Sequence, residues 1–462
     1  MNHPAFSSLK LANAQLKNLE NLGYQHMTPI QAQSLPWILQ GRDVIAQAKT
    51  GSGKTAAFGI GLLERIHAKY FGCQALILCP TRELAAQVAN EIRKLARYQH
   101  NIKVLTLCGG MPIGPQIGSL AHGAHIIVGT PGRIQDHLRK ATLDISQVKT
   151  LVLDEADRML DMGFAEAIAD IVQYTPVQRQ TLLFSATYPQ GIQAISAGYQ
   201  QDPVTIKVEE QVSSLNLQQK FFAVKQTAEK PQALAMILNQ YQAEHAVIFC
   251  NTKQDVSELT DFLENQGYYA QALHGDLQQN ERDQVLIKFA NLSTHLLIAT
   301  DVAARGLDIS DLPLVINYDL ARDPEVHVHR IGRTGRAGKA GLAISLCTEK
   351  EYPQLMRIEQ QMHISIQTTA IRPTDAPHQH NKQTPPKMQT LMIDGGKKNK
   401  VRAGDLLGAL TNEGGIQGQQ VGKINILDYV AYVAVATPVA QEALQHLLHS
   451  RIKGRKFKVR RV

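Results

Sequence analysis

Residues 43–66 read DVIAQAKTGSGKTAAFGIGLLERI. The opening DVIAQA is apolar enough for a buried strand, and TAAFGIGLLERI has the composition of a helix. Between them lies Ala48-Lys49-Thr50-Gly51-Ser52-Gly53-Lys54-Thr55. Strand, glycine-rich turn and helix in that order are the context a phosphate-binding loop needs. Glycines let backbone N–H groups wrap phosphates, and the helix N-terminus adds partial positive charge. Lys54 would reach the terminal phosphates, and the Thr55 hydroxyl would ligate Mg²⁺. The first glycine of the general pattern is Ala48 in this chain. An ordinary glycine-rich turn is the bland alternative, and the flanking strand and helix argue against it.

A second acidic signal, Asp154-Glu155-Ala156-Asp157, ends the apolar run TLVL about a hundred residues later. A carboxylate at a strand end beside a phosphate loop holds Mg²⁺ in nucleotide hydrolases, a role that suits Asp154. Glu155 suits orientation of the attacking water. Alone, the tetrapeptide could be an acidic helix start; paired with the loop it points to hydrolysis.

Working outward, short apolar runs alternate with helical stretches. Before Asp202 they are DVIAQA, QALILCP, HIIVGTP, TLVLDEA and TLLFSAT; from Gln218 to Ile371 they are AVIFCNT, HLLIATD, LVINYDL and GLAISLC. Such runs predict parallel sheets covered on both faces, two α/β lobes in tandem, with ligands beyond the carboxyl ends of the strands. The stretch Asp202–Leu217 reads as polar and turn-rich, and Arg372–Lys387 (RPTDAPHQHNKQTPPK) as an extended linker. The expected domains are 1–205, 216–371, the linker 372–387, and 388–462.

The chain has 462 residues, is 44% hydrophobic and carries a net charge of +8. Residues 388–462 hold 12 Lys/Arg against 5 Asp/Glu, leaving 36 against 35 for the rest. A nearly neutral body with a basic end predicts an anionic partner for that end. No apolar run approaches the ~20 residues that span a bilayer, and MNHPAFSSLK lacks an apolar signal core. No membrane partner is expected. The five cysteines form no CxxC pair, which fits a reduced cytoplasm and no disulfide partner.

The ordered motifs resemble those of the DEAD-box ATP-dependent RNA helicases over roughly residues 1–370. They are Phe6, Gly23-Tyr24, Thr28-Pro-Ile-Gln31, AQAKTGSGKT, PTRELA (80–85), Gly109-Gly110, TPGR (130–133), DEAD and SAT (185–187). IFCNT (248–252), Gln278 with Arg282, ATDVAARGLDI (299–309) and HRIGRTGR (329–336) follow. The resemblance implies two RecA-like lobes and an RNA-dependent ATPase. It implies that Gln31, within Thr28–Gln31, reads the adenine edge and that Phe6 stacks on the ring; an amide offers both donor and acceptor. Asp157 joins Lys54, Asp154 and Glu155 in the catalytic set. Arg333 and Arg336 look like arginine fingers, since phosphoryl transfer needs added positive charge. Ser185, Thr187, Asp301 and His329 look like couplers, and Gly306 and Asp308 like ribose-side contacts. Thr81, Arg82, Gly110, Thr130 and Arg133 match the first-lobe RNA contacts of the family. Thr252, Gly275, Gln278, Arg282 and Thr300 are the second-lobe candidates. Such groups read mainly phosphate and sugar, and the 2′-hydroxyl separates RNA from DNA.

Beyond the linker the pattern is βαββαβ: MQTLMID, AGDLLGALTN, GKINILD, YVAYVAV, TPVAQEALQHLLH and RKFKVRRV. That order fits a small α+β domain like an RNA recognition motif, although the aromatic signature of that motif is missing from YVAYVAV. Lys397, Lys398, Lys400, Arg402, Arg455, Lys456 and Lys458 are its candidate RNA contacts. This segment resembles the tail of certain bacterial members of the family. The resemblance implies that it binds a hairpin of large-subunit ribosomal RNA and acts in 50S assembly on a pre-ribosomal particle. An ATP-gated RNA clamp that does not unwind is the competing expectation, and a DNA helicase a weaker one.

Overall fold

The structure, a computed structural model, describes residues 4–48, 51–188, 190–208, 217–242, 244–304, 312–335, 340–371, 384–413 and 415–462. The chain divides into two compact units: the first lobe, and the second lobe together with the C-terminal domain.

The first lobe is built on a seven-stranded parallel sheet. Its strands are β1 (Val44–Gln47), β2 (Ala75–Leu78), β3 (Val104–Leu107), β4 (Ile126–Gly129), β5 (Thr150–Asp154), β6 (Gln180–Ser185) and β7 (Val204–Lys207). Their spatial order is β3-β4-β2-β5-β6-β1-β7. Alternate residues of a strand serve opposite faces. Along β2, Ala75 and Ile77 pack with Phe58, Ile60, Val88 and Ile92, while Leu76 and Leu78 pack with Ile134, Leu138, Met159 and Ile168. Both faces are therefore covered by helices, which is why these strands read as unbroken apolar runs.

The second lobe repeats the plan. Its strands are β8 (Leu217–Ala223), β9 (Ala246–Cys250), β10 (Ala270–Leu273), β11 (Leu296–Thr300), β12 (Leu314–Asn317), β13 (Gly341–Cys347) and β14 (Thr368–Ala370). All pairs are parallel, in the order β10-β11-β9-β12-β13-β8-β14. Numbered from its own first strand, each lobe has the order 3-4-2-5-6-1-7.

Every run read as a strand forms one. The stretch Asp202–Leu217, read as turn-rich, contains β7, which runs on to Lys207, past the expected lobe end at 205. The five cysteines are buried and free. Among the described residues no helix is long and apolar enough to cross a membrane.

The C-terminal domain has the four strands β15 (Met388–Ile393), β16 (Val421–Ile426), β17 (Ala431–Ala436) and β18 (Val459–Arg461), antiparallel in the order β16-β17-β15-β18. Leu391, Ile393, Ala431, Val433 and Val435 face the helices Ala403–Gly408 and Ala440–His449 through Leu406, Ala440, Ala443 and Leu447. The opposite face carries Thr390, Met392, Tyr432 and Ala434, all buried. It lies on the second lobe: the Thr390 hydroxyl takes a hydrogen bond from Asn291 Nδ2 (3.2 Å) and shares one with the Ser293 hydroxyl (2.7 Å). Lys387 pairs with Glu244 at 2.6 Å beside this contact, and the charge of Asp283 is felt at Tyr432. The domain is docked rather than free on a tether.

Candidate ATP and RNA sites

Strand order sets the first site. β6 lies between β5 and β1, so the loops after all three open side by side at the carboxyl end of the sheet. These are the DEAD, SAT and phosphate-loop segments. The Ala48 N–H donates to the Ser185 carbonyl (3.0 Å), carrying the β1–β6 register to the edge of the loop. Gly51 and Gly53 have φ of 86° and 95°, a region that favours glycine. The helix Lys54–Leu63 starts directly after them.

Lys54 is buried, and its Nζ donates to the Ala48 carbonyl at 2.9 Å. Asp154 is buried at the end of β5, and burial pushes its pKa up to about 7. The Lys54 charge opposes that shift, while Glu155 and Asp157 add to it. Asp157 feels the same burial, but Lys54 and hydrogen bonds from Thr187 and Ser185 more than offset it, leaving its pKa below the usual carboxylate value. Asp157 Oδ2 accepts from Ala186 N (3.1 Å), Thr187 N (3.0 Å) and Thr187 Oγ1 (3.1 Å), and the Asp157 N–H donates to Ser185 Oγ (3.4 Å). Asp157 therefore ties the DEAD segment to both hydroxyls of SAT. Glu155 has φ 53° and ψ 53°, and its carboxylate is ion-paired with the buried guanidinium of Arg158.

Gln31 is buried at the start of the helix Pro29–Leu39. Its Oε1 accepts from Thr28 N (2.9 Å), and its Nε2 donates to Gly53 O (3.1 Å), so it holds the phosphate loop directly. A Cβ on Gly53 would come within 2.5 Å of that amide. An amide has two donors and two acceptor positions, which leaves one of each for a base edge. Phe6 is buried and meets Tyr24 edge-on, ring centroids 6.0 Å apart. Lys49, Thr50, Gly306, Asp308 and Arg336 lie outside the described residues.

At the far side of the same sheet end, Thr81 and Thr130 begin the helices Arg82–Leu95 and Pro131–Arg139. Thr81 Oγ1 accepts from Leu84 N (3.2 Å), and Thr130 Oγ1 from Gly109 N (3.4 Å). The Arg82 guanidinium lies against Gly110, where a Cβ would be 2.5 Å from Nη1. Arg133 Nη2 donates to Met111 O (2.9 Å). Nε and Nη1 of Arg82 and Nη1 of Arg133 are buried with no hydrogen-bond partner among the described residues. Buried donors without acceptors are costly. Two such guanidiniums beside two helix N-termini are a place for phosphates.

In the second lobe Thr252 begins the helix Lys253–Asn265 and accepts from Asp255 N (3.1 Å). Gly275 and Gln278 are exposed, Gln278 at the start of the helix Gln279–Ala290. Arg282 Nη2 donates to Ala303 O (3.2 Å), and Thr300 Oγ1 accepts from Ala303 N (3.4 Å). Arg333 is buried, and His329 lies half-buried on the helix Pro324–Ile331.

Sequence reasoning gave no role to Arg330, which stands in the quoted HRIGRTGR. Its Nε and Nη2 donate to the two oxygens of Asp301 (2.6 and 2.7 Å), Nη1 to Asp319 O (2.6 Å) and Nη2 to Asn251 Oδ1 (2.9 Å). Asp319 and Glu351 in turn clasp buried Lys230 (3.1 and 2.9 Å). This network fixes the residues next to Thr252 and Thr300 relative to one another. The available signal was Arg330 three residues after His327 on a helix face, both buried.

The DEAD/DEAH box helicase family pattern matches residues 28–195, the helicase conserved C-terminal domain residues 229–338, and the DbpA RNA binding domain residues 390–461. The chain is 51% identical over 467 aligned residues to the ATP-dependent RNA helicase DbpA of Escherichia coli, covering 99% of each chain. It is 46% identical over 355 residues to the DEAD-box ATP-dependent RNA helicase CshA of Geobacillus kaustophilus, covering 77% of this chain and 76% of that one. The structure of S. cerevisiae Dbp5 bound to RNA and ADP BeF3 is 32% identical and superposes with a TM-score of 0.72, covering 80% of this chain and 96% of that one. With the motifs in order on the sheet ends where nucleotide chemistry is expected, the chain belongs to the DEAD-box family of ATP-dependent RNA helicases.

Proposed function

We propose that this RNA-dependent ATPase remodels structured large-subunit ribosomal RNA during 50S assembly in the cytoplasm, with the C-terminal domain selecting an RNA hairpin. The observation that carries this is the basic domain of residues 388–462, with its surplus of seven positive charges, on lobes whose contacts suit backbone rather than base edges. The likeness to E. coli DbpA runs through this domain. Mg²⁺ would be held by Thr55 and Asp154. Asp154 and Asp157 both feel the Lys54 charge while Glu155 is paired with Arg158, and Asp154, pushed up to about 7 by burial, offers the kind of hard oxygen ligand that a divalent cation takes. When bound, the ion would neutralise charge on the terminal phosphates. Lys54 would bind those phosphates, Glu155 would orient the attacking water, and Arg333 and Arg336 would add transition-state charge. Asp157 would pass nucleotide state to Ser185 and Thr187, and Asp301 and His329 would couple on the second lobe. Gly306 and Asp308 would meet the ribose, and Phe6 the base. Arg82, Arg133 and the helix starts at Thr81, Thr130 and Thr252 would take RNA phosphates, with Gly110, Gly275, Gln278, Arg282 and Thr300 along the same path.

Deleting residues 388–462 tests the selector role. The full chain should need about ten- to a hundredfold less ribosomal RNA hairpin than unrelated RNA for half-maximal ATPase. The truncation should lose that preference while keeping maximal turnover. A full chain with no preference, or a truncation that keeps it, would remove the role.

Adenine nucleotides should be preferred over guanine by on the order of ten- to a hundredfold in RNA-stimulated turnover, because a buried polar edge rejects a mismatched one. The Gln31 amide is buried and already holds Gly53, so it cannot turn freely to suit guanine. Equal turnover with GTP would take Gln31 out of base recognition.

A further inference from the structure

Neither face of the C-terminal sheet is open in this arrangement. One is filled by its own helices, and the other is docked on the second lobe through Thr390. Tyr432 lies on the face that packs on the second lobe, where the charge of Asp283 reaches it, so no base stacks on it in this arrangement. RNA held by this domain in this arrangement does not reach its sheet through Tyr432.

Three loops close on one another at one end of the domain. The N–H groups of Lys397 and Lys398 donate to Leu427 O and Asp428 O, each at 2.9 Å, and the Asp394 N–H donates to Lys458 O at 3.0 Å. Two glycines permit this approach: a Cβ on Gly396 would lie 2.3 Å from Leu427 O, and one on Gly395 would lie 2.4 Å from the Phe457 ring. Lys397, Lys398 and Lys400 are thereby joined to Lys456 and Lys458, and all five are exposed. Among the described residues none of the five has a carboxylate within ion-pair distance, whereas neighbouring Lys453 and Arg460 pair with Asp405 and Asp394. Beside the first basic segment, on the side away from β18, stands Tyr429, 61% exposed, on a tight turn closed by Leu427 N–H to Val430 O at 2.9 Å. An exposed aromatic ring on a turn bonded to a segment of unpaired cations supplies the two elements that bind single-stranded nucleic acid, a stacking surface and a phosphate track.

We propose that Tyr429 is a stacking platform for one unpaired base of a structured RNA, with Lys397, Lys398, Lys400, Lys456 and Lys458 holding the flanking phosphates. This RNA site lies on the loop end of the domain and off its sheet. It rests on the C-terminal domain being the RNA selector, and it names the surface and the unpaired nucleotide that do the selecting.

The test uses the full chain. Trp37 is the only tryptophan, so Trp37→Phe with Tyr429→Trp places a single reporter at the site. Binding of a hairpin RNA with an unpaired loop should quench its fluorescence, and a fully paired duplex of equal length should not. Tyr429→Ala should raise the hairpin concentration for half-maximal ATPase about tenfold or more, while Tyr429→Phe restores it. The salt slope should be unchanged in Tyr429→Ala, which removes no charge, and shallower in Lys398→Ala. If Tyr429→Ala stays within twofold of the parent and the reporter is not quenched, while the 388–462 truncation still loses the preference, the stacking site is wrong and the selector role stands. If the truncation keeps the preference, both fail.

Discussion

Lys54→Ala should lower RNA-stimulated ATP turnover by about three orders of magnitude. Losing one preorganised donor to a developing charge costs about 10²–10³ in rate, and Lys54 supplies a full charge. The burial of its ammonium group and its 2.9 Å contact with Ala48 O hold it at the mouth of the loop. It also opposes the upward shift of Asp154 and helps to lower Asp157. Without it, Asp154 moves further up and is less ionised at neutral pH, which weakens any cation held there. Both losses act in the same direction. Steady-state ATPase with saturating RNA, alongside thermal unfolding to show that the lobe still folds, makes the comparison. Turnover within tenfold of the parent would take Lys54 out of the phosphate site.

What was legible in the sequence follows from where water is excluded. The runs read as strands are the central ones, contiguous as β4-β2-β5-β6-β1 and β11-β9-β12-β13, buried on both faces. The strands not read, β3, β7, β8, β10 and β14, lie at or next to the sheet edges, and none is buried along its whole length. Apolar continuity weakens there, and so does the signal. The same limit applies to function. The phosphate loop and DEAD segment announce themselves because a glycine-rich turn between strand and helix and a carboxylate pair at a second strand end occur together, a combination with few other uses. The tie from Gln31 to Gly53 and the grip of Arg330 on Asp301 and Asn251 join residues 22, 29 and 79 positions apart, a distance no local pattern carries. Docking of the C-terminal sheet on Asn291 and Ser293 was hidden for the same reason, since Thr390 reads as an ordinary strand residue.

Glu155→Gln should leave ATP and RNA binding in place and slow hydrolysis by about 10²–10³-fold, within the range lost with a general base. Glu155 is a non-glycine residue at φ 53°. Holding it there costs on the order of 1 kcal/mol, a strain the fold sustains while aiming a carboxylate from the end of β5. Glutamine keeps the length and an oxygen for Arg158, so the buried guanidinium keeps a partner. Glu155→Ala would strand it, and removing one member of a buried pair costs about 3–5 kcal/mol, so only the glutamine variant separates chemistry from folding. The electrostatics favour retained binding. Glu155 is one of the charges that push Asp154 up, so its neutralisation lets the Asp154 pKa fall and leaves that carboxylate more fully ionised at neutral pH. The variant should therefore hold nucleotide and cation and fail at the attack of water, accumulating on RNA in the ATP-bound state. Nucleotide-dependent retention on labelled RNA, measured beside single-turnover hydrolysis, distinguishes this from simple loss of binding. Parental hydrolysis rates would show that another group handles the water, and lost retention would place Glu155 in binding instead.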